Sequence, residues 1–325
     1  MASTIAVVIP NYNGRKYLGD CLRAIRGQTR KPDRIIVVDN GSSDGSVAYL
    51  RREFPETERI ALPENTGFCG AVNTGIRSAS DMDYVFLLNN DTKAEPGCIA
   101  GLMDAMERDP RLFSAQAKML RMDDPSRIDD AGDLYCALGW AFARGKGRPE
   151  TRYQKPCRIF AACAGAAVYR TAYLKKVGLF DEHHFAYLED TDIGWRARLS
   201  GYRNEFVPSA RVLHVGSASS GSIYNLFKVK NSSRNSIYLI AKNMPPLQIL
   251  INLPFLIPGF AAKAVFFARR GYGREYIRGL AGGFFLARKG AAEGRRVRFR
   301  PDRLPVYLAI QLELWVNIVR RFTGR

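Results

Sequence analysis

Short apolar runs alternate with amphipathic stretches over the first third of the chain. Residues 4–9 form a continuous, β-branched-rich run, the pattern of a strand covered on both faces. Turn chemistry follows at residues 10–14, PNYNG. Leu18, Leu22 and Ile25 then recur at helical spacing, with Cys21 on the same face. Residues 34–38 predict a second buried strand, and Ser42-Ser43-Asp44 predicts the cap of a helix reaching about residue 52. A short strand over 59–62, a loop opening into a helix over 67–79, a fourth strand over 84–88 and a helix begun by Pro96 complete the series. Short strands separated by helices of this length predict an α/β fold on an open, mostly parallel sheet.

Further along the pattern loosens. A strand is expected over 112–120. Residues 121–158, rich in charge and glycine, carry no period and are expected to form a long irregular excursion or acceptor loop. A strand over 161–169, a short helix over 171–177 closed by Gly178, a helix over 191–199 ended by Gly201, a strand over 212–215 and a helix over 224–242 follow. After Pro245 the character changes. The apolar stretch 247–267 is interrupted by Pro254, Pro258, Gly259 and Lys263, and its length is marginal for a spanning helix, which needs about 20 apolar residues. Two more apolar patches cover 280–287 and 304–319, the last followed by Arg320 and Arg321. Apolar helices edged by arginine predict segments lying in a bilayer interface, with a second copy of the chain (a homo-oligomer) as the other candidate partner. The expected organisation is a catalytic part over 1–242 and an apolar, basic helical part over 243–325.

Charge sharpens this picture. The formal net charge is +18, which favours an anionic partner such as a nucleotide, a nucleic acid or a membrane surface. Residues 269–325 hold 14 Lys and Arg against 4 Asp and Glu, so +10 of the excess lies beside the apolar patches. No recognised nucleic-acid module is present, so nucleic acid is not expected as a partner. The six cysteines are scattered without C-x-x-C spacing, which predicts reduced thiols rather than a zinc or dithiol site. The chain enters its first strand without a secretory leader, so the catalytic part is expected in the cytosol.

Three acidic stations carry the candidate chemistry. Asp39 ends the second predicted strand, where a carboxylate can accept the N3–H of uracil or thymine; a turn cap is the structural alternative, though Asp44 suits that task better. Asn89-Asn90-Asp91 ends the fourth strand, and its oxygens suit a hard divalent cation, Mg²⁺ or Mn²⁺, that neutralises a departing diphosphate. Ligands on such sheets bind beyond the carboxyl ends of the strands, which pairs Asp39 with Asp91. Glu189-Asp190-Thr191-Asp192 opens a helix, where the dipole favours carboxylates. That explains one of them structurally, Asp192 first. Asp190 is the candidate general base and Glu189 the next. Asp192, Trp195 and Arg196 are candidate contacts to acceptor or diphosphate, with an Asp192–Arg196 pair as the alternative. The glycine-rich loop over 65–75 lets backbone N–H groups approach a phosphate or ribose, but it is neither G-x-G-x-x-G nor a Walker sequence. His214 ends a strand and is a candidate metal ligand. Arg234-Asn235, on the next helix, can reach an anionic leaving group, with a solvent-facing role as the equal alternative.

In this order, Val8-Ile9-Pro10-Asn11-Tyr12-Asn13, Val38-Asp39-Asn40-Gly41-Ser42-Ser43-Asp44-Gly45, Asn65-Thr66-Gly67-Phe68, Leu88-Asn89-Asn90-Asp91, Gly178-Leu179-Phe180-Asp181-Glu182 and Glu189-Asp190-Thr191-Asp192 resemble the inverting glycosyltransferases of family 2. The resemblance covers residues 4–242 and implies the GT-A fold. Within the family it looks most like the bacterial rhamnosyltransferase-type enzymes that extend cell-surface polysaccharides. It implies that Pro10, Asn11, Tyr12, Asn13, Asp39, Asn40 and Gly41 hold base and ribose, with Asn65, Gly67, Asn73 and Asn90 in the same donor site. Asp91 stands in the D-x-D position and holds the metal. Asn89 replaces the first Asp, so less charge faces the cation. Asp190 is the implied base, and His214 matches a metal-binding His of some members. The implied donor is dTDP-rhamnose, with a UDP-hexose as the alternative, and the implied acceptor is a saccharide or lipid-linked saccharide. The implied location is peripheral, on the cytoplasmic face of the plasma membrane. A nucleotidyltransferase on a similar sheet, releasing pyrophosphate, leaves the Glu189-Asp190 cluster without a task.

Overall fold

The computed structural model describes residues 3–216 and 224–323. Its first half alternates β1 (Ile5–Asn11), α1 (Arg15–Arg26), β2 (Arg34–Asp39), α2 (Ser46–Glu53), β3 (Glu58–Ala61), α3 (Gly67–Ser78) and β4 (Tyr84–Leu88). Then come β5 (Thr92–Ala94), α4 (Cys98–Arg108), β6 (Leu112–Arg121), β7 (Ile128–Asp130), β8 (Asp133–Cys136), β9 (Trp140–Ala143) and β10 (Cys157–Ile159). β11 (Ala166–Arg170), α5 (Thr171–Val177), α6 (Glu189–Leu199), β12 (Arg203–His214) and α7 (Leu226–Asn243) lead to the C-terminal helices α8 (Pro246–Ala268), α9 (Gly273–Ala292) and α10 (Leu304–Thr323).

The main sheet has the order β10-β12-β6-β11-β4-β1-β2-β3, with β5 on β12 and β7 on β6. β4, β1, β2 and β3 are mutually parallel, as are β6 and β12, while β11 runs antiparallel between the two groups. Ile5 to Ile9 are fully buried because the sheet is covered on both faces. Each such Val or Ile contributes about 1.5–3 kcal/mol. Val7, Ile9, Phe86 and Leu88 pack toward α1 and α4. Val8, Val38, Val85 and Leu87 pack toward α3, α5 and α6.

Four expectations need correction. The stretch 121–158 is not irregular: it supplies β7, β10 and the β8–β9 hairpin. β12 begins nine residues before the expected strand at 212, because Pro208 sits where the register slips between Val207 and Arg211, the place where a sheet tolerates proline. The strand expected from 161 starts only at Ala166, after a turn in which the Ala166 N–H donates to the Cys163 carbonyl. Finally, Pro254 and Pro258 do not break α8, a single 23-residue helix about 34 Å long. Its Gly259 packs so close that a Cβ there would meet the Leu138 carbonyl oxygen at 2.3 Å.

α8 is the one helix among the described residues that is long and apolar enough to cross a membrane, and only 17% of that apolar window is buried. Its inward residues are partly polar. Gln248 and Asn252 donate to the side-chain oxygen of Gln311 on α10, at 3.1 and 2.8 Å. Leu247, Leu250, Ile257, Phe285, Leu308 and Phe322 point outward. α9 lies along α7, and a Cβ on Gly283 would come within 2.5 Å of the Arg234 carbonyl oxygen. α10 is tied to β8 by Asn317, whose amide donates to the Tyr135 carbonyl.

Candidate active site

The carboxyl ends of β1, β2 and β4 meet in one hydrogen-bonded row. Asn90 donates to the Asn11 side-chain oxygen at 2.7 Å, and Asn11 donates to Asp39 at 2.8 Å. The other Asp39 oxygen accepts the Ser42 N–H at 2.9 Å, so the turn cap is realised. A carboxylate oxygen carries two lone pairs, so Asp39 retains acceptor capacity for a base N–H. Asp44 does not cap α2 itself: the N-cap is Gly45, and Asp44 just before it accepts the Ser46 N–H at 3.0 Å. Asn13 ties its turn to the next one, accepting the Ser43 N–H, while Tyr12 stays exposed beside it.

Several candidate donor contacts are occupied within the protein. Asn40 accepts from Thr66 and donates to Asn65 and to the Gly67 carbonyl, so it clamps the glycine-rich loop. Asn73 is buried, donating to the Phe180 carbonyl and Glu182 and accepting the Phe180 N–H. Gly67 has φ +77°, and a Cβ there would lie 2.6 Å from Phe185, so the chain needs glycine there. These residues shape the glycine-rich loop from behind.

His214, at the end of β12, lies with Nε2 3.3 Å from Asp91 and Nδ1 2.7 Å from Asp129. Asp129 also receives Lys146 at 2.9 Å. A carboxylate on one ring nitrogen fixes the tautomer in which the other nitrogen offers its lone pair to a cation. Asp91 and Nε2 of His214 are therefore two donors that fit Mn²⁺ or Mg²⁺, while the Asn89 amide nitrogen faces Gly165. The alternation of β7 sends Asp129 to this pair and Asp130 to the other side, where Gln116 and the Gly132 N–H hold it.

Asp130, Asp133 and Asp190 gather around Cys163, and Glu189 stands beside Asp190. Ligand atoms of Asp130, Asp133 and Cys163 lie within 4.8 Å of one another. Asp190 accepts the Ala164 N–H at 3.1 Å, and the adjacent Gly165 carbonyl accepts the Asn89 N–H at 2.9 Å. Two consecutive residues thus join the candidate base to the metal-side strand end. Burial, and then repulsion from Glu189, push the Asp190 carboxyl well above its ordinary range. Burial also pushes Glu189 to about 7 and Asp130 to about 6. Glu189 Oε2 is buried without a hydrogen-bond partner. Carboxyls so close share protons instead of all ionising.

The other residues expected at acceptor or diphosphate are structural. Asp192 is fully buried and receives Arg196 and Lys242 at 2.9 Å and Asn243 at 2.8 Å. Arg196 spends its remaining donors on the carbonyls of Val177, Gly178 and Leu179. Trp195 is buried between Tyr135 and Phe160. Arg234 donates to the carbonyls of His183 and His184 rather than toward a ligand. Asp129, Asp130, Asp133 and Lys146 were missed. The signal lies in IDDAGD (residues 128–133), where acids stand beside Ile128 and Ala131 on a β-like alternation.

The backbone entering α6 is strained. Phe185, Tyr187 and Leu188 all have positive φ, at 60°, 73° and 68°. Each such residue costs of order 1–3 kcal/mol and persists only where its surroundings over-determine it.

Residues 6–178 match the family described as Glycosyl transferase family 2. The chain belongs to glycosyltransferase family 2. Among curated proteins, this family 2 chain is similar to N-acetylglucosaminyl-diphospho-decaprenol L-rhamnosyltransferase of Mycobacterium tuberculosis, 30% identical over 246 residues, or 68% of this chain and 79% of the relative. Among solved structures it resembles GalNAc-T7 with UDP, GalNAc and Mn²⁺ (TM-score 0.60, 16% identity). That match covers 74% of this chain and 48% of the other, so the chain spans about half of GalNAc-T7. It also resembles the mannosyltransferase PcManGT from Pyrobaculum calidifontis in complex with GDP-Man and Mn²⁺ (TM-score 0.54, 18% identity), covering 99% of this chain and 88% of that one. At such identities the solved structures show the GT-A-like fold, and the chain is a glycosyltransferase by its family.

Proposed function

We propose that this glycosyltransferase moves a sugar, L-rhamnose from dTDP-rhamnose, with inversion onto a hydroxyl of a lipid-linked saccharide in cell-surface polysaccharide synthesis. The observation that carries the reading is the link from Asp190 through Ala164 and Gly165 to the strand end of Asn89 and Asp91. It supports a base on one side of an anomeric carbon and a diphosphate on the other. The name of the mycobacterial relative, an N-acetylglucosaminyl-diphospho-decaprenol L-rhamnosyltransferase, supports rhamnose and a diphospholipid acceptor.

In this mechanism Asp190 takes the proton of the acceptor hydroxyl as that oxygen attacks the anomeric carbon. The bond to the diphosphate oxygen breaks on the opposite face, so the configuration inverts. Asp39 accepts the thymine N3–H. A divalent cation, when held by Asp91 and His214, supplies charge neutralisation for the leaving diphosphate. Asp129 keeps the His214 ring oriented. Positioning and electrostatics carry most of the acceleration.

The test is nucleoside diphosphate release from a panel of sugar nucleotides with an N-acetylglucosaminyl diphospholipid acceptor. dTDP is expected from dTDP-rhamnose, falling about 10²-fold or more with chelator and in Asp91→Ala. Preference for a UDP-hexose would overturn the sugar, and pyrophosphate release would overturn the reaction class.

The outward apolar faces of α8, α9 and α10 and the basic excess around them support peripheral attachment to the cytoplasmic leaflet. The full chain is expected to co-sediment with anionic vesicles, and Leu250→Glu with Phe285→Glu to weaken that binding about tenfold or more. Equal partitioning of the double variant would remove this attachment.

A further inference from the structure

We infer that Asn235 is a positioning residue for Glu189 and Asp190, acting through the strained backbone of residues 183–188; the inference rests on the reading of Asp190 as the base. Asn235 is fully buried on α7, and the two N–H groups of its amide are shared among three carbonyls of that loop. The carbonyls of His184, Ala186 and Tyr187 lie 2.8, 2.9 and 2.8 Å from it. The positive-φ residues Phe185, Tyr187 and Leu188 are interleaved with these acceptors. Their side chains do not favour such a conformation, so the three hydrogen bonds hold it.

The loop has a second anchor, on the donor side. The Phe185 carbonyl accepts the Cys69 N–H at 3.2 Å, and the Phe185 ring fills the space that a side chain at Gly67 would need. One strained strap therefore spans the glycine-rich loop and the first turn of α6. Asn235 sets the strap from behind, and α9 backs α7 through the close contact at Gly283. Without the Asn235 amide, the carbonyls of Ala186 and Tyr187 lose this donor, while that of His184 keeps Arg234 and the Ala186 N–H, and the loop relaxes toward ordinary φ. That turns the start of α6 and moves Asp190 away from the Ala164 N–H. A displacement near 1 Å at a reacting group is enough to cost about 10²-fold in rate.

The experiment is Asn235→Ala in the full chain, read three ways. We expect kcat to fall about 30–100-fold while dTDP affinity stays within about twofold. Amide exchange over residues 183–190 is expected to accelerate about tenfold or more, with protection of β1 and β4 retained. Asn235→Ser, which keeps one donor, is expected to recover part of kcat, and it serves as the test variant if the alanine form does not fold. A kcat within about threefold of wild type would overturn the proposal. So would loss of kcat, nucleotide affinity and β1 protection together, the signature of a purely structural role. Exchange and nucleotide binding need no turnover. A wild-type chain that transfers no sugar would thus sink the functional reading, while the exchange data would still judge the strap.

Discussion

Asp190→Asn is expected to lower sugar transfer by about 10²–10⁴-fold, the range a general base supplies, with donor binding and folding retained. Asparagine keeps the shape and can still accept the Ala164 N–H, but it cannot take the acceptor proton. The pH profile gives a second reading. Asp190 is held well above the ordinary carboxylate range by burial first and by Glu189 second. Its ionised, basic form therefore grows in as the pH rises, and the acid limb of kcat/KM should lie above the usual carboxylate values. Glu189→Gln removes the neighbouring charge and should move that limb to lower pH. Near-full activity of Asp190→Asn, or a limb that stays in place in Glu189→Gln, would reassign the base.

The parts of this site that could be read from sequence were those whose cause is local. Strands β1, β2 and β4 are short apolar runs ending in polar residues, and Asn11, Asp39 and Asp91 stand at those ends. Burial on both faces leaves no other pattern for such a run. What stayed hidden depends on partners far along the chain. Asp192 looks like a catalytic-cluster carboxylate until Lys242 and Asn243, fifty residues on, occupy it. Asn235 looks like a helix-surface amide until the loop at 184–187 folds over it. Pro208 reads as a strand break, although β12 runs through it at a register slip, and the charge of IDDAGD hides its strand. Its acids are tolerable inside only because Gln116, His214 and Lys146 meet them or because protons stay on.

Two neighbours on α6 should therefore change stability in opposite directions. Asp192 lies below its ordinary pKa range: burial opposes this, but Arg196 first, then Lys242, outweigh it. A depressed carboxylate contributes stability above its unfolded pKa and loses it as the pH falls below about 3.8. Asp192→Ala at neutral pH leaves Arg196 and Lys242 without that partner, though Lys242 keeps Asp181 at 2.6 Å. A loss of about 3 kcal/mol, the low end for breaking a buried pair, is expected in denaturant unfolding. Glu189 has the reverse sign. Its pKa is raised from 4.5 to about 7 by burial, so its contribution is intact below 4.5 and is lost as the pH rises through 7. Glu189→Gln should then stabilise the protein at pH 8, by at most about 3 kcal/mol, and change little at pH 4.5. A destabilised Glu189→Gln at pH 8 would mean that the ionised carboxylate has a cationic partner there. Burying Glu189 beside Asp190 lowers stability above neutral pH, and the proposed proton transfer to Asp190 gives that cost a purpose.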